Sequence, residues 1–581
     1  MDWSNNLIFL VRPYWQYAKT YLVGRIAISA VIMPCIAFIE VTLLQNIIDS
    51  IIMGKDMAAT LTMAITYGAI LLLLTLLRWG FLILYDRWKV VEIQNKINRS
   101  IYARVAQTDY QNFDNPEYYN DFTFAAGEYA SKAAAALDLL TTLCGFIMVS
   151  LAMSVYLAQL GPWVIAISLI GCAVCMYGQR LISLCGIAKT KEAIPHERRL
   201  AYVHRISYQR QFAADMKSTG LSQAMMNMFD VSGNNRVAVY QKYRQQHWTG
   251  NLIMFVAWSC METLQLVYII ICAYTLSLSV GALTGLFTAA KRLNGQVNQF
   301  TGMLGQYMEL SLYADKIRTF FSKTSAIEAQ PSGNSAPEGS WEVQLRGISF
   351  SYPNSSFAVR KMNFTIPAGS KIAIVGENGA GKTTLAKLLL RLYDTDAGEI
   401  LINGHPIASH DVRNVRHRIG VAFQDPQVYA LTVRENLQLY HQADDATLKR
   451  VLKTVGLDIP LDAEITREFD PKGIVLSGGQ TQKLALARLM HGDFGLLLLD
   501  EPSSALDPLA EYELAKLLFD RAHSTTTIMV SHRLSSIRHA DIIYMVVSGS
   551  IVEFGTHEEL MSLGGRYAEM FAKQAENYVA P

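Results

Sequence analysis

Six long apolar segments in the first half of the chain limit its fold more than any other feature. They lie at residues 20–48, 59–85, 134–158, 161–186, 251–277 and 280–305. A helix needs about 20 apolar residues to cross a bilayer, where it satisfies its own backbone hydrogen bonds. Five segments meet this requirement, whereas the sixth is interrupted by Lys291, Arg292, Asn294, Gln296, Asn298 and Gln299. The pattern predicts six transmembrane helices, the last of which lines a polar pathway.

The composition agrees with a membrane part fused to a soluble part. Hydrophobic residues make up 51% of the 581 residues, charged residues only 17%, and the mean hydropathy is +0.19. The net charge of +2 gives no reason to expect a nucleic-acid partner. Membrane lipid is the expected surrounding of the first half.

Basic residues in the connections predict the orientation. The connection between segments two and three and the connection between segments four and five are long and rich in lysine and arginine, whereas the other three hold only Lys55. The positive-inside rule therefore places both long connections, both termini and the soluble part in the cytoplasm, with the chain in the cytoplasmic membrane. Residues 5–18 are amphipathic and typical of an interfacial helix. Reversals near 113–120 and 217–229 favour short helices that dock on the soluble part, against the alternative of two solvated loops.

Polar residues inside the predicted spans are candidates for contact with a transported substrate. Glu262, Lys291 and Arg292 each lie about ten residues into a segment, and Arg292, Gln296 and Gln299 recur at helical spacing. Glu40 is a weaker candidate. A polar wall along a transport path and a simple ion pair between Glu262 and Arg292 explain the pattern equally well.

A second domain follows a linker. Residues 326–340 are rich in Pro, Gly and Ser, which is typical of a linker, so we assign residues 1–325 to the membrane domain and 341–581 to a soluble domain. From Trp341 onward, short apolar strands alternate with amphipathic helices. This alternation predicts an α/β fold with a mainly parallel sheet.

A phosphate-binding loop lies early in that domain. Its residues fit G-x-x-x-x-G-K-[ST] between an apolar strand and a helix, and they are Gly376, Glu377, Asn378, Gly379, Ala380, Gly381, Lys382 and Thr383. Glycines let backbone N–H groups point at phosphates, and the helix N-terminus adds partial positive charge. Lys382 is positioned to reach the β- and γ-phosphates and Thr383 to bind Mg²⁺. We therefore expect the domain to bind ATP with Mg²⁺.

Two further motifs follow. Leu496 to Leu499 form an apolar strand that ends in Asp500 and Glu501, of which Asp500 suits Mg²⁺ and Glu501 suits polarisation of the attacking water. The run Leu476-Ser477-Gly478-Gly479-Gln480 opens a helix whose N-terminus is a second anion site. One nucleotide needs only one of the two helix starts.

The ordered motifs resemble those of ATP-binding cassette (ABC) transporters, specifically half-transporters of the exporter type with fused domains. This resemblance covers essentially the whole chain and implies a type I exporter-like membrane domain of six helices followed by an α/β P-loop NTPase. It implies roles for residues outside the loop as well. For the nucleotide, the resemblance implies that Tyr352 stacks on adenine, Thr384 lies in the phosphate site and His532 contacts the γ-phosphate. For hydrolysis, it implies that Gln424 contacts Mg²⁺ and the attacking water, Asp500 is a magnesium ligand, and Glu501 is the catalytic base with Lys382 on the phosphates. For the dimer, it implies that Ser477 to Gln480 form the signature motif and Ser504 to Asp507 a loop at the interface.

The family also accounts for the second helix start, because there the signature helix of one subunit covers ATP bound to the other. A second half-transporter is therefore the expected partner, in a homodimer by preference, with a heterodimer possible. Close relatives often have an acidic residue and an Arg-Gly step just before the signature. The run at 466–475 departs from that pattern, which weakens any transfer of their substrate class. The expected function is ATP-driven export of an amphipathic or hydrophobic peptide, drug or lipid. The alternative is a lipid flippase or an ATP-regulated membrane protein with little transport of its own.

Overall fold

A computed structural model describes residues 3–323, 325–328, 333–352, 358–467, 469–502, 525–534 and 537–579. The chain divides into two compact units. The first combines Met1–Ala106 with Glu117–Lys323, and the second combines Gln107–Pro116 with Thr324–Pro581. The expected interface loop, Ser504 to Asp507, lies outside the described residues.

The first unit is helical. Its helices are α1 (Trp3–Tyr17), α2 (Lys19–Ala27), α3 (Met33–Ile52), α4 (Met57–Gly80), α5 (Arg87–Val105), α6 (Pro116–Leu157), α7 (Trp163–Tyr208), α8 (Arg210–Ser218), α9 (Leu221–Thr275) and α10 (Val280–Ser322). Two π-helical turns, Ile28–Ile32 and Phe81–Asp86, join α2 to α3 and α4 to α5.

Five helical stretches of the described chain are long and apolar enough to cross a membrane. They are Lys19–Ile52, Met57–Val105, Asp121–Leu160, Trp163–Tyr208 and Leu221–Thr275. The sixth predicted segment lies in α10, which has 43 residues but carries the polar side chains noted above. The helix arrangement thus agrees with six crossing helices, of which the last is the polar one.

Small residues allow α7 and α9 to pack backbone to backbone. A Cβ atom added at Gly178 would lie 2.9 Å from the carbonyl oxygen of Gly250, and one added at Gly171 would meet the side chain of Met261. Such close approach is the usual role of glycine between helices in lipid.

A buried polar network crosses the same helices and reaches α10. The Gln265 amide donates to Ser168 Oγ at 2.6 Å, and Asn294 donates to Gln265 Oε1 at 2.7 Å. All three side chains are buried. In an apolar surrounding such hydrogen bonds fix how the three helices face one another, because separating them would leave unpaired polar atoms.

The described part of the second unit contains ten strands in two sheets. The strands are β1 (Val343–Ser351), β2 (Ala358–Ile366), β3 (Lys371–Val375), β4 (Ala397–Ile402), β5 (His405–Pro406), β6 (Ile419–Ala422), β7 (Leu496–Asp500), β8 (Thr526–Val530), β9 (Ile542–Val547) and β10 (Ser550–Gly555). The smaller, antiparallel sheet has the order β2-β1-β4-β5, and the larger has the order β10-β9-β3-β8-β7-β6. All pairs of the larger sheet are parallel except β9 with β10, as the alternating pattern predicts.

Helices cover these sheets. Those described are α11 (Lys382–Leu389), α12 (Val412–His417), α13 (Val433–Leu437), α14 (Asp445–Thr454), α15 (Gly478–Ala487), α16 (His557–Leu563) and α17 (Arg566–Val579). Strands β3, β7 and β8 are buried nearly throughout, since each lies inside the sheet between two neighbours. The carboxyl ends of β3 and β7 therefore bring the phosphate loop and the two acidic residues to one edge.

A short segment from between the second and third spans packs inside the second unit. Its 3₁₀ helix is Tyr110–Asp114. The buried carboxylate of Asp109 accepts hydrogen bonds from the backbone N–H groups of Ala326 at 2.6 Å, Ile327 at 3.1 Å and Glu328 at 2.9 Å. Asp109 therefore fixes residues 326–328, the start of the predicted linker, to the 107–116 segment.

Candidate nucleotide site and membrane path

The phosphate loop connects β3 to α11 through three glycines with positive φ. Gly376 has φ +156°, and a Cβ atom there would overlap the carbonyl oxygen of Val546. Gly379 has φ +80° and Gly381 has φ +103°. Other residue types would be strained at these positions, so the glycines are required by the backbone path of the loop.

Lys382 is the first residue of α11, and its amino group folds back onto the loop. Nζ donates to the carbonyl oxygens of Gly376 at 2.8 Å and Glu377 at 3.0 Å. Burial lowers the pKa of Lys382, and the charges of Glu501 and Asp500 oppose that shift. The ammonium group thus lies at the centre of the loop, where an anion with three or more oxygens would replace the carbonyl partners.

Asp500 ends β7 next to Thr383. The Thr383 hydroxyl donates a hydrogen bond to the Asp500 carboxylate, which is 3% exposed. Burial raises the pKa of Asp500, while this hydrogen bond lowers it and the neighbouring charge of Glu501 raises it further. A hydroxyl and a carboxylate side by side are the hard oxygen donors that Mg²⁺ prefers, so these two residues fit the expected ion.

Glu501 has an unusual backbone for a glutamate. Its φ is +49°, in the left-handed region, at a cost of about 1–3 kcal/mol. Its N–H donates to the carbonyl oxygen of Val530 at 2.9 Å, which holds this conformation. Its Oε1 lies 2.9 Å from Nδ1 of His532. The strained backbone aims the carboxylate at His532 instead of leaving it free in solvent.

Tyr352, the expected adenine platform, belongs to an aromatic cluster. Its hydroxyl shares a 3.3 Å hydrogen bond with Thr384, and its ring meets Tyr393 edge-on with centroids 5.4 Å apart. Tyr393 also contacts Tyr110 edge-on at 5.6 Å and donates its hydroxyl to Asp114. The Tyr110–Asp114 helix is therefore in contact with the residue that supports the platform.

Tyr393 and Lys387 were missed from the sequence. The Lys387 ammonium lies 5.6 Å from the ring centroids of Tyr110 and Tyr352 and 5.9 Å from that of Tyr393. No local pattern distinguishes Tyr393 from an ordinary core aromatic, so only the fold indicates its role.

The position of Gln424 is not fixed by a hydrogen bond to these groups. It follows β6 by two residues, is exposed, and forms no hydrogen bond with the other site residues in the described part of the chain. The sequence prediction for Gln424 stays a prediction.

The signature residues cap α15. Ser477 Oγ accepts from the Gln480 N–H at 3.3 Å, and Gln480 Oε1 accepts from the Ser477 N–H at 2.9 Å. A Cβ atom at Gly478 would meet nothing within 4 Å, so no neighbour among the described residues explains the glycine. The helix start is exposed, and the N–H groups of its first turn suit an anion presented by another molecule.

The unusual run before the signature forms a closed loop. Ile474 donates its N–H to the carbonyl oxygen of Glu464 at 2.8 Å, and Arg467 Nε donates to that of Gly473 at 3.0 Å. Phe469, at 73% exposure, projects from it. The departure from the family pattern is thus a structured loop that presents an aromatic side chain.

In the membrane unit, the structure pairs Arg292 with Glu40 rather than with Glu262. The Arg292 guanidinium forms an ion pair with the Glu40 carboxylate, whereas Glu262 forms no ion pair among the described residues. The interpretation of a Glu262–Arg292 pair is therefore wrong. It failed because Glu40 lies on α3, a helix far away in the sequence that packs against α10.

The other predicted path residues lie in different surroundings. Lys291 is exposed, whereas Gln296 and Gln299 line a cavity of about 240 Å³ within the membrane unit. Arg25, Arg78 and Asp138 line the same cavity. The shared face of Gln296 and Gln299 is as the spacing predicts, and the charged neighbours were not anticipated.

Comparison with known proteins adds to this geometry. The family model for ABC transporters matches residues 359–504, which include the phosphate loop, the signature and Glu501. The subtilin transport ATP-binding protein SpaT of Bacillus subtilis is 26% identical over 573 residues, 96% of this chain and 91% of SpaT. The ATP-dependent lipid A-core flippase of Escherichia coli (strain K12) is 31% identical over 305 residues, about half of each protein. Residues 359–504 therefore carry an ABC transporter domain, and the chain is similar to an ABC transport protein over nearly its whole length.

The solved structure of a bacterial Atm1-family ABC exporter with ATP bound matches the fold. Its TM-score is 0.81 at 20% sequence identity, over 96% of this chain and 99% of that one. The helical first unit and the α/β second unit of this chain thus have the folds of that exporter, as the motifs predicted. The apolar helices are those of a multi-pass membrane protein, and the matched ATP-binding domain together with the similarity to SpaT supports ATP-driven export.

Proposed function

We propose that this transporter is one half of a dimer, by preference a homodimer, that exports an amphipathic or hydrophobic substrate across the cytoplasmic membrane. The observation that carries the proposal is the site of Lys382, Thr383, Asp500 and Glu501 on the same chain as a polar sixth helix. The exposed Ser477–Gln480 helix start supports dimerisation, because the N–H groups of Gly478 and Gly479 at its first turn form no hydrogen bond among the described residues. The proposal includes both termini and the nucleotide-binding unit in the cytoplasm, and the positive charges of the long connections support this orientation.

The residues divide the hydrolytic step between them. Lys382 exchanges its two carbonyl partners for phosphate oxygens, and the loop N–H groups bind the rest of the phosphate chain. Thr383 and Asp500 hold Mg²⁺, which neutralises charge on the phosphates when it is bound. Glu501 accepts the proton of the attacking water at its carboxylate, and His532 orients that carboxylate and the terminal phosphate. Gln424 positions the attacking water, and Tyr352 positions the adenine ring.

Substitution of Glu501 by Gln tests these assignments. The change keeps the shape and removes the proton acceptor, so we expect ATP turnover to fall about 10²- to 10⁴-fold while ATP binding is retained. The matched control is Glu558→Gln, an exposed glutamate in α16 that should leave turnover unchanged. Full hydrolysis by the Glu501 variant would show that Glu501 is not the catalytic base.

The class of substrate rests on the relatives. SpaT is named for subtilin, a peptide, and matches nearly the whole chain, whereas the flippase match covers half of that protein. We therefore propose a peptide first and a lipid second. The measurement is ATPase stimulation in lipid vesicles by cationic peptides, lipids and drugs, followed by transport of each compound that stimulates. Stimulation by lipids alone would favour the flippase, and none by any class would leave an ATP-regulated membrane protein.

A further inference from the structure

A second cavity lies in the membrane unit, away from the polar sixth helix. It has a volume of about 840 Å³ and is lined by side chains of α7 and α9 only, from Cys185 and Lys189 on the first and from residues 236–251 on the second. It extends from Asn251, next to the close contact of Gly178 with Gly250, toward Arg236 on α9. The cavity is large enough for a phosphorylated head group.

The charged side chains that line it are all basic. Lys189, Arg236 and Arg244 contribute three cations, and no aspartate or glutamate is among the lining residues. None of the three forms an ion pair with a carboxylate in the part of the chain that the structure describes. The three cations thus have no carboxylate partner among the described residues, which favours the binding of an anion.

Glu192, the acidic residue next to the cavity, already binds other side chains. Both carboxylate oxygens of Glu192 lie 2.9 Å from Lys242 Nζ, and one also accepts from the Tyr243 hydroxyl at 3.0 Å. Glu192 thereby fixes Tyr243 at the edge of the cavity, while Lys189 lies 4.4 Å from the ring centroid of Tyr240. The cavity is thus partly built by contacts that hold its aromatic and basic side chains in place.

Its position selects a lipid over a soluble anion. Cys185 and Asn251 mark the ends of two predicted spans, 161–186 and 251–277, on the side of their long basic connection. Trp248 is 63% exposed and lies three residues, or about 4–5 Å, beyond Asn251, where aromatic residues are found at membrane interfaces. The head-group layer is about 5–7.5 Å thick on each side of the hydrocarbon. Lys189 lies three residues, or about 4–5 Å, beyond the span that ends at residue 186, which is within that layer. Arg244 lies about 10 Å beyond Asn251, from where its long side chain can reach back to the head groups.

We propose that this cavity binds the phosphate of an anionic phospholipid head group, held by Lys189 and Arg244 and flanked by Trp248. The site is separate from ATP and from the transport path, and lipid binding there does not require nucleotide. The acyl chains would lie along the apolar surfaces of α7 and α9, which places the head group at the cavity mouth.

The test uses the purified full chain in detergent without ATP. Brominated phosphatidylglycerol or brominated phosphatidylcholine is titrated, and binding is followed by quenching of tryptophan fluorescence and by native mass spectrometry. We expect saturable binding of phosphatidylglycerol only, with loss of the Trp248 component of quenching in Trp248→Phe. Equal binding of the two lipids would overturn the proposal.

Paired variants separate the cavity from general charge. The double variant Lys189→Gln/Arg244→Gln should bind phosphatidylglycerol about 30-fold more weakly, since each basic side chain near an anionic surface contributes a factor of about five. The control Lys191→Gln/Arg199→Gln removes the same charge from the same connection outside the cavity. An equal loss in both variants would show that the effect is non-specific and refute the site.

Soluble phosphate distinguishes the two sources of the anion. Glycerol phosphate is added at millimolar concentration to the lipid-loaded protein and, separately, to the lipid-free protein. We expect no displacement of phosphatidylglycerol, because the acyl chains add affinity. Displacement, or equally tight binding of glycerol phosphate alone, would assign the cavity to a soluble anion and overturn the lipid assignment.

Discussion

Removal of the Asp109 carboxylate should detach the 107–116 segment from the start of the linker. Asp109 is 1% exposed and accepts three backbone hydrogen bonds, from Ala326, Ile327 and Glu328. In Asp109→Ala all three N–H groups lose their acceptor. Among the described residues, no other carboxylate accepts a hydrogen bond from these three N–H groups.

The size of the effect follows from burial. Ile327 is 3% exposed, so its N–H group would remain unpaired at a cost of about 1–3 kcal/mol, whereas the N–H groups of Ala326 and Glu328 are partly exposed and lose about 1 kcal/mol each. The sum is about 3–5 kcal/mol. Because about 1.4 kcal/mol corresponds to a factor of ten, amide protection at 326–328 should fall about 100- to 4,000-fold.

Hydrogen exchange of the full chain, read by mass spectrometry on peptides that cover 326–328, measures this change. Asp411→Ala is the control, because Asp411 also accepts two backbone hydrogen bonds, at 2.9 and 3.0 Å, but at an exposed helix start of the same unit. It should alter exchange only near 412–414. Unchanged protection of 326–328 in Asp109→Ala would refute the reasoning.

Three further substitutions test other contacts. Gly376→Ala forces a side chain onto a backbone with φ +156° and into a carbonyl oxygen, so binding of a fluorescent ATP analogue should weaken about 5- to 150-fold; normal affinity would contradict the strain argument. Arg292→Glu places a second negative charge beside Glu40, so the free energy of unfolding in lipid nanodiscs should fall by about 1–2 kcal/mol. Adding Glu40→Arg should restore at least part of this loss, whereas additive losses would exclude the pair. Tyr393→Phe removes the hydroxyl bonded to Asp114 and should raise exchange at 110–114 about 10- to 100-fold with ATP affinity unchanged; unchanged exchange would dismiss this contact.

Local patterns were sufficient for the phosphate loop and for the apolar spans. The loop depends on neighbouring residues, because Gly376, Gly379 and Gly381 supply its positive φ angles and Lys382 begins the helix that follows. The six spans follow from hydropathy and length, which a lipid environment makes decisive. Neither inference requires knowledge of distant contacts.

Contacts between distant parts of the chain could not be read in the same way. Arg292 has acidic candidates on two helices, and the packing of α10 against α3 selects Glu40. Tyr393 acquires a role only because the 107–116 segment packs beside it in the second unit. The backbone strain at Glu501 is also set by tertiary structure, since hydrogen bonding to Val530 holds it.

The Asp109 contact also has a consequence for how the protein is made. Its carboxylate and the N–H group of Ala326 are 217 residues apart in sequence. At a synthesis rate of about 5–20 residues per second, Asp109 leaves the ribosome roughly 10–40 s before its first partner does. During that interval four spans are inserted, and the 107–116 segment, which is acidic and aromatic, lacks the residues that it later binds. A fragment that begins at Trp341 would lack Asp109 and its partners altogether, and Tyr393 would lose the Tyr110 and Asp114 contacts that cover it.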